Sequence, residues 1–174
     1  GVIEGRFSFH SRMCKELEKV RVSAGAEPSR RSWKMETVSA EEIYQVTRQV
    51  WVPMLSFDLK LNGSNPMAST DEHSYACTIS LNGDWKGGVV LLFHDKLAKA
   101  AAQHIFGIED DELASEDIRD AVGELTNQVG GLVKSKLAPQ SLLSLPTIAE
   151  GMNLMVDIPN CKQIGIAAME SQQS

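Results

Sequence analysis

Between Ser115 and Leu137 apolar residues return every three to four positions. Ile118, Val122, Leu125, Val129 and Leu132 fall on one stripe at roughly 100° per residue, which predicts a single long helix over 115–137. Ser115 and Asp117 offer oxygens for its N-terminus, Lys134 and Lys136 occupy its last turns, and Pro139 follows. On the same wheel Asp120, Glu124, Asn127 and Gly131 gather opposite the stripe. Gly123, Gly130 and Gly131 each cost a helix roughly 1 kcal/mol against alanine. Close approach of a partner's backbone is one reason to keep them.

The remaining patterns are shorter. Ser39 to Pro53 predicts a helix: Ser39 with Glu42 three residues on forms a capping box, and Ile43, Val46, Val50 and Met54 make the apolar stripe. Phe57, Leu59 and Leu61 alternate with Asp58 and Lys60, as in a half-buried strand. Tyr75, Cys77, Ile79 and Leu81 alternate with Ala76, Thr78 and Ser80, and Asn82-Gly83-Asp84 supplies turn chemistry. Trp85 to Phe93 returns as a strand. It is almost wholly apolar from Val89 onward, so it is expected at the centre of a sheet, with Gly87-Gly88 read as a bulge. Asp95 to Phe106 predicts an Ala-rich helix closed by Gly107, and an acidic connector, Ile108 to Ala114, leads into the long helix. Leu142–Gly151, Asn153–Ile158 and a short Gln163–Met169 complete the expected strands.

Composition changes this picture at the N-terminus. Net charge is −6, but residues 1–34 hold eight Lys/Arg against four Asp/Glu, leaving a body of −10. Ile3-Glu4-Gly5-Arg6 matches a common engineered protease-cleavage sequence, Arg12 to Arg21 suggests a short charged helix, and Ala24–Ser32 reads as linker. Residues 1–34 are therefore expected to be a disordered or non-native extension, and 35–174 one domain. A chain starting at Met35 is expected to melt at nearly the same temperature. An acidic body argues against nucleic acid as the main partner. No apolar run nears the ~18 residues of a membrane span. Cys14, Cys77 and Cys161 form no framework, which favours a reducing, cytoplasmic setting, and Cys77 sits among apolar residues as a core thiol. Asn62-Gly63-Ser64 matches a glycosylation sequon and reads as a turn.

No self-contained catalytic set is visible. His10, His73, His94 and His104 lack metal-ligand spacing, and there is no nucleophile elbow, Walker loop or dinucleotide fingerprint. The outward face of the long helix remains. Asp120-x-x-x-Glu124-x-x-Asn127 resembles the D/S-x-x-x-E-x-x-N motif of the CheC/CheX chemotaxis phosphatases. Gly130-Gly131 and the downstream Leu145-Pro146-Thr147 with Gly151 agree with that resemblance, which covers roughly Ser39 to Asp157.

The resemblance implies an α+β fold of two layers, a mainly antiparallel sheet covered by two long helices, built as a pseudo-repeat of helix-plus-strands halves. It also implies a phosphatase for the aspartyl phosphate of a CheY-like response regulator. In that role Asn127 orients the attacking water and Glu124 docks a partner lysine. Asp120 adds a polar contact or orients the pair, while Gly123 and Gly131 permit close approach. This chain would bind no cofactor; the Mg²⁺ is expected in the receiver domain. The alternative is a response-regulator or flagellar-switch binding module of the same fold that works by contact alone. Two departures stand out. The first long helix offers Glu42-x-x-Gln45 where some members carry a second E-x-x-N, so one site is counted, as in the CheX branch. Cys161–Glu170 is shorter than the strand pair with which members finish, so the sheet is expected to lack an edge strand, and a strand-mediated homodimer is left open.

Overall fold

The computed structural model describes residues 17–25, 38–62, 73–83, 86–137, 140–158 and 160–173. Among them run β1 (Leu17–Gly25), α1 (Ala40–Leu55), β2 (Phe57–Asn62), β3 (His73–Asn82), β4 (Gly87–His94), α2 (Asp95–Phe106), α3 (Ser115–Leu137), β5 (Leu142–Leu143), β6 (Thr147–Met152) and β7 (Cys161–Gln173). The strands form one antiparallel sheet in the order β2-β7-β1-β4-β3-β5, with β6 also on β3. The fold is α+β, with all three helices feeding a shared core against one face of the sheet.

That core follows from the patterning. Tyr75, Cys77, Ile79 and Leu81 of β3 are all buried, as are Val89, Leu91 and Phe93 of β4. Trp51 of α1 stacks on Phe93 with ring centroids 5.9 Å apart. The Trp51 indole N–H donates to the Ser171 hydroxyl of β7 at 2.9 Å, and Trp51 is wholly buried. The capping box forms as expected. The Glu42 N–H donates to the Ser39 hydroxyl at 3.2 Å, and the Ser39 N–H donates to the Glu42 carboxylate at 2.9 Å. The Ser39 hydroxyl also donates to that carboxylate at 2.7 Å, and this bond first, then the one from the Ser39 N–H, holds the Glu42 carboxyl below the usual carboxylate range. At the far end Gly107 takes φ 65° and closes α2.

β4 is apolar on both faces because both are covered. Ala76, Val90 and Leu92 face away from the helices and are packed by Leu154, Val156 and Ile158. The segment 153–158 is therefore not the expected strand; it is an irregular strap lying on the sheet. Gly87-Gly88 is not a bulge either, since pairing with β3 runs unbroken through both. A Cβ on Gly88 would lie 2.5 Å from Ile158 Cδ1 and 2.8 Å from the Ile79 carbonyl, so this glycine makes room for the strap.

Two further expectations are corrected. Leu17–Gly25 falls inside the segment read as an extension, yet it is a strand paired to β4 on one side and β7 on the other. The expected helix from Arg12 to Arg21 is strand in its described part, and a division at residue 34 separates β1 from the other strands of its sheet. Residues 1–16 and 26–37 lie outside the described residues. The C-terminal strand is not short. β7 has 13 residues and pairs with both β1 and β2, so the sheet continues past it to a further strand.

Candidate functional site

α3 begins and ends where its periodicity places it. Asp117 accepts from the Ala114 N–H at 2.9 Å, so the N-terminal oxygen comes from Asp117 while Ser115 lies inside the helix. Acidic residues in the first turn and lysines in the last complement the helix dipole. The buried face carries Ile118, Ala121, Val122, Leu125, Val129 and Val133; Val133, rather than Leu132, is the fully packed residue of the final turns. Thr126 is buried beside them and donates its hydroxyl to the Val122 carbonyl at 2.7 Å.

The opposite face presents Asp120, Glu124 and Asn127, all exposed. Three residues of rise put Glu124 and Asn127 about 4.5 Å apart along the axis, close enough to address one small group together. Glu124 Oε1 accepts from the Gln128 side-chain amide at 2.7 Å. No hydrogen bond engages the Asn127 carboxamide among the described residues. Gly131, one turn on, is half-buried, and a Cβ there would meet nothing within 4 Å among the described residues. Gly123 is different. It is buried, and its Cβ position lies 3.7 Å from both Pro146 Cγ and Ile148 Cδ1. This chain's own β5–β6 loop occupies the surface that Gly123 was expected to leave for a partner. Gly130 also serves the chain itself: its Cβ would come within 3.3 Å of Ile79 Cγ2, so it lets α3 settle on β3.

The helix is fastened beside the site. Arg119 makes a two-pronged pair with Glu150 of β6, Nε to Oε2 at 3.2 Å and Nη2 to Oε1 at 2.7 Å. That guanidinium lowers the Glu150 carboxyl from its ordinary range. Sequence reading missed this pair because 31 residues separate its members. It also missed Gln128, though the i, i+4 spacing from Glu124 was there to be seen.

The other candidates separate from this face. Among the described residues no three His, Cys, Asp or Glu side chains group so as to hold a metal ion. His94 is buried at the start of α2, and His104 sits edge-on to Phe57 at 5.4 Å. Cys77 is buried, and that burial pushes its thiol up to about 11 against a weaker opposing contact from Thr126. On α1, Glu42 is engaged by Ser39, and the Gln45 amide donates to Glu41 at 2.7 Å, so no second outward pair forms there. No described helix is long and apolar enough to cross a membrane.

The family model described as chemotaxis phosphatase CheX matches residues 75–168, from β3 through most of β7 and including all of α3. The chain belongs to the CheX chemotaxis phosphatase family. Solved structures agree on the fold. CheX from Vibrio vulnificus is 22% identical, with 83% of this chain and 99% of that one covered at a TM-score of 0.57. CheX from Desulfovibrio desulfuricans is 19% identical, covering 77% and 98% at 0.53. A CheC-like superfamily protein from a Shewanella species, PV-4, is 21% identical, covering 75% and 93% at 0.51. At these identities the likeness speaks for the fold. No curated protein matches the sequence. Asp120, Glu124 and Asn127 lie inside the stretch that carries the CheX family match.

Proposed function

We propose that this protein hydrolyses the aspartyl phosphate of a CheY-like receiver domain in chemotaxis or related two-component signalling. The observation that carries the reading is the outward placement of Glu124 and Asn127, one turn apart on a helix tied to β6 by the Arg119–Glu150 pair, within the family's matched region. An acyl phosphate is already reactive. Water attacks phosphorus, the bond from phosphorus to the aspartyl oxygen breaks, the carboxylate leaves, and inorganic phosphate carries off the added oxygen. Catalysis of such a transfer is mostly positioning and charge stabilisation.

A carboxamide suits the positioning. Its oxygen accepts a hydrogen from the water, and its N–H₂ donates toward a phosphoryl oxygen. Asn127 takes this role, and its side chain is not spent on a described contact within the chain. Glu124 meets a lysine beside the phosphoryl group and fixes the register of docking. Asp120, one turn earlier, adds a polar contact at the rim. Gly131 leaves the helix bare beside Asn127 so that the partner can approach. The partner brings the Mg²⁺ that neutralises the phosphoryl oxygens, and this chain supplies the water-orienting amide.

The test is single-turnover dephosphorylation of a phosphorylated receiver at saturating protein. Asn127→Ala should lose about 10²–10³-fold in rate, by analogy with removing one positioned donor from an acyl-transfer site. Asn127→Asp should lose nearly as much, because it removes the donor and sets a negative charge beside a phosphoryl group. Both variants should bind the receiver and melt as wild type does. Wild-type rates in both would sink the mechanism and leave a module that acts by contact alone.

A further inference from the structure

We propose that Gln128 is a positioning residue: it holds the Glu124 carboxylate in the orientation that receives the partner's cation. The inference rests on the reading of Glu124 as the docking carboxylate. Its own basis is the 2.7 Å hydrogen bond from Gln128 Nε2 to Glu124 Oε1 along the exposed face of α3. A glutamate on an open helix surface rotates among many conformers, and a partner that needs one of them must order it on binding. A donor one turn away removes part of that cost in advance.

The identity of the donor matters. At i−4, i−3, i+3 and i+4 from Glu124 stand Asp120, Ala121, Asn127 and Gln128, with no lysine or arginine among them. Arg119 is committed to Glu150, and Lys134 and Lys136 lie more than two turns further on. Glu124 is therefore oriented by a neutral amide and keeps its charge for an external cation. A lysine at 128 would form the stronger pair at this spacing and cancel the charge that the partner seeks. Only Oε1 is taken by Gln128, and Oε2 has no described partner, so one oxygen is anchored while the other faces out.

Two measurements decide the matter, each with its own point of failure. In the free protein, side-chain three-bond couplings of Glu124 should report one dominant χ1 rotamer in wild type and averaging in Gln128→Met, which keeps length and loses the donor. Averaged couplings already in wild type would overturn the proposal, whatever the enzyme does. In dephosphorylation of a phosphorylated receiver, Gln128→Met should raise KM by about 2- to 10-fold, as expected for one such hydrogen bond, with kcat unchanged. Gln128→Lys should raise KM further. In a Glu124→Ala background neither change should move KM. An effect of the same size in that background would mean that Gln128 touches the partner itself, and the positioning role would be lost. If wild type fails to dephosphorylate any receiver, the functional reading falls, while the couplings still decide whether Gln128 orients Glu124.

Discussion

Replacing Gly131 with alanine should make the protein more stable and less able to engage its partner. Glycine inside a helix costs about 1 kcal/mol relative to alanine. At Gly131 nothing among the described residues stands within 4 Å of the position a methyl would take, so that gain is not lost to crowding by them. For a chain of this size a gain of about 1 kcal/mol corresponds to a rise of about 2–4 °C in Tm. Gly130 is the control. Its methyl would sit 3.3 Å from Ile79 Cγ2 and 3.5 Å from Cδ1, so α3 would have to lift from β3. Overpacking of that kind costs about 1–3 kcal/mol and cancels or outweighs the helix gain. Gly130→Ala should thus melt no higher than wild type. Nothing among the described residues explains a glycine at 131, which under the proposed function leaves room for the receiver. A methyl intruding on that contact should weaken receiver binding about tenfold, or about 1.4 kcal/mol. The assays are calorimetric melting of both variants and KM for dephosphorylation. A lower Tm for Gly131→Ala would refute the packing argument, and a higher Tm with wild-type KM would refute the docking argument.

A chain beginning at Met35 should lose its cooperative melting transition or melt far lower, because it lacks the strand that β4 and β7 share; an unchanged Tm would mean that the sheet closes without β1. Cys77 should resist alkylation at pH 8 in the native protein. Its thiol ionises only near pH 11 and lies wholly buried, so the thiolate that reacts is scarce below that pH and grows as pH rises through it. A mass-mapped time course checks this, with labelling of Cys77 expected only once denaturant unfolds the chain.

The elements read most securely from sequence were those whose burial is one-sided and continuous. α3 shows its stripe over 23 residues, and its limits fell where the pattern set them. The outward trio of Asp120, Glu124 and Asn127 followed from the same wheel, since positions opposite a packed stripe must face solvent. β1 was lost to its charges. Val20, Val22 and Ala24 alternate with Lys19, Arg21 and Ser23, a strand rhythm hidden within a basic segment that invited reading as a tail. β7 was shortened because its end, Glu170-Ser171-Gln172-Gln173, is polar. Ser171 is nevertheless wholly buried, its hydroxyl accepting from Trp51 120 residues away. Sequence proximity cannot reveal such a partner. Gly88 was misread for a related reason: the side chain that crowds it belongs to a strap 70 residues on.

The place of β1 in the sheet has a consequence for how the protein comes into being. β1 precedes every other described element, β7 follows them all, and the two lie side by side. While the chain emerges from the ribosome, β1 can pair with β4 but must hold its other edge open until the final strand is made. Synthesis at about 5–20 residues per second leaves that edge waiting for several seconds. During that interval the nascent chain offers an unpaired strand to any neighbour, including another copy of itself at the same stage. Completion of the sheet is therefore a late, long-range closure, and conditions that slow translation or crowd nascent chains should lower the yield of folded protein well before they affect its final stability.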